Sequence, residues 1–366
     1  MTSPRAGAEM IDWELAVATA TRLVRPGPEV SHEEARAAVA ELRKHAADAE
    51  RHVRAYTGLA SPDGGTPVLV VDRPGWIRAN VAGFRTIITP LADRMAARRA
   101  EIPGGNAVSA VGGKITGLEL GALLAFLSSK VLGQYETFAP PEVPADLSGL
   151  DKKPTPPGRL LLVAPNIVSV ERELDVDPTD FRLWVALHEE THRTQFTAVP
   201  WLRDHIEGEI HAFLAETEID PATLVERLRE ALSGSGPAPS SLVEVVQTPG
   251  QREILGRLTA VMSLLEGHAD VVMDGVGPQV VPTVAEIREK FQQRRAKGAS
   301  RLDQLLRRLL GLDAKLRQYR DGAVFVNAVV DSVGMSGFNR VWTSPNTLPT
   351  KEEIHNPAAW VARVHG

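Results

Sequence analysis

The first half of the chain combines helical periodicity with short apolar runs. Ser31 is a helix-capping residue with Glu34 three positions later, and apolar residues follow at helical spacing until Gly58, a residue type that commonly ends helices. This pattern predicts one long N-terminal helix. Two short apolar runs bounded by prolines, at residues 68–71 and 159–164, are instead typical of β-strands or extended buried segments.

Helical periodicity dominates the second half. Asp177 supplies a capping side chain directly before Pro178, a residue type favoured in the first helical turn, so a helix is predicted to begin there. Apolar spacing also predicts a helix from about Gln251 to Asp274, ended by Gly275, and a basic amphipathic helical run over residues 290–316. The predicted fold class is mainly α, a multi-helical fold with few short strands, and an α+β fold is the alternative.

A proline-rich stretch lies between the two apolar runs. Residues 140–158 contain six prolines, a density that prevents helix formation and is typical of an extended connection. The sequence thus predicts an N-terminal helical region at residues 1–139, this connection at 140–158, and a C-terminal region at 159–366. We expect the two regions to pack as one unit, because 366 residues can bury a large shared core.

Composition narrows the classes of function. The net charge of −5 provides no basic field for nucleic acid, which is therefore not an expected partner. The chain has no cysteine, so disulfides and thiolate metal sites are excluded and any metal must be bound by nitrogen and oxygen. Acidic residues interrupt the first twenty positions, and the most apolar segment, 115–129, is shorter than the about 20 residues that span a membrane. We expect a cytoplasmic protein without a membrane span.

One segment carries the pattern His-Glu-x-x-His, as His188, Glu189 and His192. Residues four apart on a helix lie on one face, about 6 Å apart along the axis, so both imidazoles can bind one zinc ion. Glu189 is rotated by about 100° and can reach the open side of the metal, where its carboxylate can accept a proton from water and pass it to the leaving amine. The pattern predicts zinc-dependent hydrolysis with Glu189 as the catalytic base.

A third ligand is expected on a later helix. Glu266 lies 74 residues after His192 and shares one helical face with Asp270, among apolar neighbours. Burying two acids is costly unless a cation or hydrogen bonds compensate. We therefore expect Glu266 to bind the single zinc ion and Asp270 to accept the free ring N–H of His188.

Other side chains are weaker candidates for the third ligand. His268 points roughly 200° away from Glu266 on the same helix, so the two cannot face one metal together. Three residues shortly after residue 200 are further alternatives: His205, Glu209 and His211.

The combination of His188-Glu-x-x-His192 with Glu266-x-x-x-Asp270 resembles the gluzincin arrangement, in which a downstream Glu-x-x-x-Asp helix supplies the third ligand and its support. Leu265 stands where thermolysin-like enzymes carry asparagine, so only the Glu and Asp positions correspond. Gluzincins often use a tyrosine or histidine to stabilise the oxyanion, and Tyr319 is the candidate here.

Three segments carry a wider resemblance: LWVALHEETH at residues 183–192, QFTAVPWL at 195–202 and LEGHAD at 265–270. Through them the chain resembles the zincin-like metallopeptidase type 2 family of actinobacteria. Its opening, DWELAVA at 12–18 and VRPGP at 24–28, is similar to a branch associated with coenzyme F420 biosynthesis. The resemblance implies a mostly helical zincin-like fold, whose metalloprotease site would lie in the region 159–366.

The residues and the resemblance together predict a zinc-dependent metallopeptidase that hydrolyses bonds of a peptide or protein substrate. The alternative is a non-catalytic binding or scaffold protein with the same zincin-like fold, linked to coenzyme F420 biosynthesis as the resemblance of the opening segments implies. The glutamate at position 189 favours the enzyme, because a scaffold does not need a carboxylate there.

Overall fold

Helices dominate the structure. The computed structural model describes residues 11–60, 66–99, 105–139, 158–216, 248–296 and 312–366. Within these ranges the strands are few and short, which confirms the predicted mainly α fold class. The predicted proline-rich connection at residues 140–158 lies outside the described residues, apart from Gly158.

The described part of the chain forms twelve α-helices. Their bounds are α1 Trp13–Leu23, α2 His32–Thr57, α3 Arg73–Arg99, α4 Gly105–Leu127, α5 Ala164–Leu174, α6 Pro178–Ala198, α7 Pro200–Ala215, α8 Pro249–Gly275, α9 Val284–Ala296, α10 Leu312–Phe338, α11 Lys351–Ile354 and α12 Pro357–His365. Two 3-10 helices, Asn339–Trp342 and Pro345–Thr347, lie between α10 and α11. A left-handed glycine, Gly334, interrupts α10 with φ 72°.

Three short strands form one sheet in the order β1-β3-β2. They are β1 Val68–Val71, β2 Gly133–Glu136 and β3 Arg159–Val163. Strand β3 is central and fully buried, with β1 parallel to it on one side and β2 antiparallel on the other. The two predicted apolar strands, β1 and β3, are confirmed. Strand β2, with the sequence GQYE, was not predicted because it lacks an apolar alternation.

The capping signals in the sequence act as predicted. Ser31 and Glu34 form a reciprocal capping box at the start of α2, and Gly58 ends that helix in the left-handed conformation with φ 72°. Asp177 caps α6 by accepting a hydrogen bond of 2.9 Å from the backbone N–H of Asp180. Local side-chain chemistry thus sets where these two long helices begin.

The described residues divide into two compact units. The first comprises residues up to Pro200 and from His268 to Leu316, and the second comprises Trp201–Gly267 and Arg317–Gly366. Helix α8 runs unbroken from Pro249 to Gly275 and contributes to both.

The first unit has two apolar clusters. One joins α2, α5, α6 and the last turns of α8, and its fully buried members include Leu42, Phe181, Leu187 and Val272. The other joins α1, α3, α4 and the sheet, around Ile77 and Leu124. Leu162 of β3 lies in the first cluster and Leu161 and Val163 lie in the second, so β3 is covered on both faces, as its unbroken apolar sequence requires.

The second unit is held by close helix crossings and aromatic side chains. A β-carbon on Gly267 of α8 would lie 2.1 Å from the carbonyl carbon of Gly322 on α10, so these two helices meet backbone to backbone. Trp360 of α12 is fully buried and packs edge-on against Phe325 of α10. Arg363 closes the C-terminal segment by donating to both carboxylate oxygens of Glu353.

None of the described helices is both long enough and apolar enough to cross a membrane.

Candidate metal and active site

Helix α6 carries the His-Glu-x-x-His pattern through the core of the first unit. Phe181, Trp184 and Val185, which lie one to two turns before His188, are all buried. His188 and His192 themselves are half-buried. The apolar stripe therefore anchors the helix, and its two histidines lie at the border of the core.

The two imidazoles converge as a metal-binding pair does. The Nε2 atoms of His188 and His192 lie 3.2 Å apart, and the ring planes are nearly perpendicular at 88°. Two nitrogen ligands of a tetrahedral zinc ion, each about 2.0–2.1 Å from the metal, lie about 3.3 Å apart. The pair thus has the separation that a shared zinc ion requires.

The structure also brings Glu266 of α8 to this pair. One ligand atom from each of His188, His192 and Glu266 lies within 4.8 Å of the others. Two imidazole nitrogens and one carboxylate oxygen are a common donor set for zinc, and three protein ligands leave a fourth position for water or substrate. The residues present therefore fit a catalytic zinc ion.

Glu189 lies on the buried side of α6, next to strand β2. Its side chain is 6% exposed. A β-carbon on Gly133, the first residue of β2, would lie 2.5 Å from Cγ and 2.8 Å from Oε1 of Glu189. The absence of a side chain at position 133 is therefore what makes room for the carboxylate.

The face of α6 away from the two histidines carries an ion cluster in which Arg193 and Glu190 are buried. Arg193 donates to both carboxylate oxygens of Glu190 at 2.8 and 2.9 Å, to Glu50 of α2 at 2.8 Å and to the backbone carbonyl of Thr66 at 2.9 Å. Burial raises the pKa of Glu190 to about 7, although Arg193 opposes that shift. This cluster ties the helix that carries the histidines to α2 and to the segment before β1.

The structure places Asp270, the predicted acceptor for His188, next to Arg288 of α9. Arg288 Nη1 lies 3.4 Å from Asp270 Oδ1, and the same guanidinium contacts Asp274 at 2.6 Å and lies over the Trp184 ring. The predicted hydrogen bond from His188 to Asp270 stays a prediction.

Two residues that were not predicted to support the metal ligands, Gln195 and His268, are linked by hydrogen bonds to His192. Gln195 Oε1 lies 3.0 Å from His192 Nδ1, and Gln195 Nε2 lies 3.0 Å from Nδ1 of His268 on α8. Gln195 follows His192 by three positions, a spacing at which helical side chains meet, and that spacing was the available signal. His268, considered above as a ligand, instead contacts a neighbour of a ligand.

The other candidate ligands have different surroundings. His205 packs against the Trp201 ring, and Glu209 pairs with Arg257 at 2.8 Å. Among the described residues, no second group of three histidine or acidic side chains converges as His188, His192 and Glu266 do. His211 belongs to no such group, and the side chain of Tyr319 lies outside the described part.

The chain is similar to known proteins over nearly its whole length. A family model of zincin-like metallopeptidases matches residues 11–361. A crystal structure of a proposed hydrolase with a novel fold from Chloroflexus aurantiacus is 32% identical, covers 97% of this chain and 99% of its own, and superimposes with a TM-score of 0.68. The comparison with curated proteins finds no match.

The family and the solved structure both point to a hydrolase. The actinobacterial origin and the coenzyme F420 branch stay predictions. Because the family model spans nearly the whole chain, and the described fold is mainly helical as that resemblance implied, this chain belongs to the zincin-like metallopeptidase family.

Proposed function

We propose that the protein is a zinc-dependent peptidase in which His188, His192 and Glu266 hold one zinc ion and Glu189 is the general base. The observation that carries this proposal is the convergence of the three ligand atoms within 4.8 Å. The separation of 3.2 Å between the two histidine nitrogens supports zinc in particular, because it matches two ligands of one tetrahedral ion.

A zinc ion held by these three residues would lower the pKa of water towards about 7 and would polarise the scissile carbonyl. Glu189 is the residue that moves the proton. Its carboxylate accepts the proton of the attacking water and donates it to the departing amine. The close backbone of Gly133 limits the positions that the carboxylate can adopt, which holds it ready for both transfers.

The sheet supports a peptide as the substrate. Strand β2 lies at one edge of the sheet, next to β3. An edge strand can bind an extended peptide through backbone hydrogen bonds. Because β2 begins at Gly133, beside Glu189, a peptide on this edge would pass the catalytic base. A cytoplasmic location is the setting that the sequence predicts.

Zinc stoichiometry and peptide cleavage test the proposal together. We would measure moles of zinc per mole of chain in the wild type and in the His192→Ala and Glu266→Ala variants, with His205→Ala as the control for losing a histidine outside the group. We expect about one zinc in the wild type and the control, and a sharp loss in the other two. Glu189→Gln is expected to keep the metal and to lose cleavage of a fluorogenic peptide library.

Two results would contradict this function. A wild type that binds no zinc after reconstitution would favour the non-catalytic scaffold. Full cleavage activity in Glu189→Gln would contradict the role of Glu189 as general base, but it would not contradict the proposed metal site.

A further inference from the structure

A buried polar chain leads from His192 into the protein. His192 Nδ1 lies 3.0 Å from Gln195 Oε1, and Gln195 Nε2 lies 3.0 Å from His268 Nδ1. Gln195 and His268 are both 0% exposed. Polar groups are costly to bury unless they are hydrogen-bonded, so these two side chains, of which Gln195 contacts the candidate ligand and His268 contacts Gln195, require a physical explanation.

The explanation lies in which nitrogen of His192 carries the proton. A neutral histidine that binds metal through Nε2 must hold its hydrogen on Nδ1, and a hydrogen-bond acceptor at Nδ1 stabilises that tautomer. Gln195 provides this acceptor only when its amide oxygen faces His192. The reversed amide would present N–H groups to His192, favour the opposite tautomer, and leave a hydrogen on the nitrogen that faces the metal.

His268 determines which way the amide faces. Nδ1 of His268 lies 3.0 Å from the amide nitrogen of Gln195, and an amide nitrogen can only donate, so Nδ1 must be the acceptor of this hydrogen bond. A neutral imidazole with its hydrogen on Nε2 presents a lone pair at Nδ1, and this lone pair accepts from the amide N–H of Gln195. The amide oxygen is then directed at His192, which is the orientation found.

We propose that Gln195 and His268 are positioning residues that hold His192 in the tautomer whose Nε2 lone pair faces the metal, with His268 acting through Gln195. This inference rests on the proposed metal site. It also gives His268 a role other than that of a ligand, because its Nδ1 accepts from Gln195 and it points away from Glu266 on α8.

Zinc affinity, measured by competition with a chromophoric chelator, is the first test. Gln195→Leu removes the acceptor, and we expect zinc binding to weaken by about 10–100-fold. Gln195→Glu is expected to bind zinc much as the wild type does, because a carboxylate also accepts from Nδ1–H. The control for loss of a buried glutamine is Gln251→Leu on α8, which is expected to keep the wild-type affinity.

A double substitution isolates the part that His268 plays. His268→Leu is expected to weaken zinc binding because the amide can then reverse, whereas His45→Leu, the loss of another buried histidine, is not. Adding Gln195→Glu to His268→Leu should restore the affinity, since a carboxylate has acceptors on both oxygens and cannot be reversed. A role for His268 in packing alone predicts no such rescue.

The tautomer can be observed directly by ¹⁵N NMR of the histidine side chains, before and after zinc is chelated. We expect His192 to carry its hydrogen on Nδ1 in both states of the wild type, and to show a mixture of tautomers in chelated His268→Leu. This measurement on the wild type decides the question even where a buried substitution prevents folding.

The inference and the proposed function can fail separately. A wild type without zinc would overturn both. Zinc that is lost in His192→Ala but bound equally well by the wild type and Gln195→Leu would overturn only the positioning role. A hydrogen on Nε2 of His192 in the chelated wild type would overturn that role as well.

Discussion

Gly133 and Glu189 touch so closely that position 133 has no room for a side chain. A β-carbon there would lie 2.5 Å from Cγ and 2.7 Å from Cδ of Glu189. Real β-carbons do not approach other heavy atoms so closely, so the carboxylate must move if one is added. The backbone of strand β2, at Gly133, thus limits where the carboxylate of Glu189, the candidate base, can lie.

This contact predicts a selective loss of catalysis in Gly133→Ala. The added methyl group displaces the carboxylate of Glu189, and a displacement of about 1 Å can cost about 100-fold in rate. Zinc content is expected to stay at the wild-type level, because the three atoms nearest to the added β-carbon all belong to Glu189 and not to a candidate ligand. The measurements are zinc stoichiometry and kcat on a peptide that the wild type cleaves.

Gly208→Ala on α7 is the matched control, since a β-carbon there meets nothing within 4 Å. Equal kcat values in Gly133→Ala and Gly208→Ala would show that the position of Glu189 does not depend on this contact.

A second prediction concerns the crossing of α8 and α10. A β-carbon on Gly267 would overlap the backbone of Gly322, so Gly267→Ala must separate two helices. We expect a loss of about 1–3 kcal/mol in the free energy of unfolding, as for other overpacked sites. Gly256→Ala, on the same helix but in open space, is expected to gain up to about 1 kcal/mol from helix propensity. Urea unfolding measures both, and two variants of equal stability would contradict the close crossing.

A third prediction concerns the ion cluster behind the histidines. Arg193→Met leaves the carboxyl group of Glu190 buried without its main partner, and breaking a buried pair in this way costs about 3–5 kcal/mol. Replacing both residues, in Arg193→Met/Glu190→Leu, is expected to recover much of that loss because no buried charge remains.

Arg257→Met, which breaks the more exposed pair of Arg257 with Glu209, is the control. We expect it to change the free energy of unfolding by no more than about 1 kcal/mol. Denaturant unfolding measures all three proteins. A double variant less stable than Arg193→Met alone would argue against this explanation.

A fourth prediction concerns acid stability. The hydrogen bonds from Arg363, the main cause, hold the pKa of Glu353 below its ordinary value of 4.5. A carboxyl group with a lowered pKa in the folded state contributes stability above its unfolded pKa, and loses that contribution as the pH falls through the folded pKa. The wild type should therefore lose more free energy of unfolding between pH 6 and pH 3 than Glu353→Gln does.

Arg363→Met is expected to behave much like Glu353→Gln, since it removes the largest cause of the lowered pKa. Glutamine at position 353 can still accept the backbone N–H of Thr350, so the helix cap is kept. If the wild type and both variants lose the same free energy over this pH range, the ion pair does not contribute to acid stability.

The elements that could be predicted are those with local causes. The capping box at Ser31, the left-handed Gly58 and the Asp177 cap each involve side chains and backbone groups a few residues apart, so their residue types reveal them. The apolar runs of β1 and β3 stand out for the same reason. Strand β2 depends on pairing with β3, which is 23 to 29 residues later in register, and its own residues give no apolar signal.

The sequence by itself determined that His188 and His192 share a face of α6, because the helical repeat alone puts residues four apart together. It also identified Glu266 as a candidate ligand, because a carboxylate among apolar neighbours is costly to bury unless a cation or hydrogen bonds compensate. Only the tertiary structure decided that Gly133 lies against the side chain of Glu189, and that Gln195 forms hydrogen bonds with both His192 and His268. Gly133 is distant in the chain from Glu189, and Gln195 is distant from His268, and no local periodicity encodes which side chains meet when separate helices and strands pack.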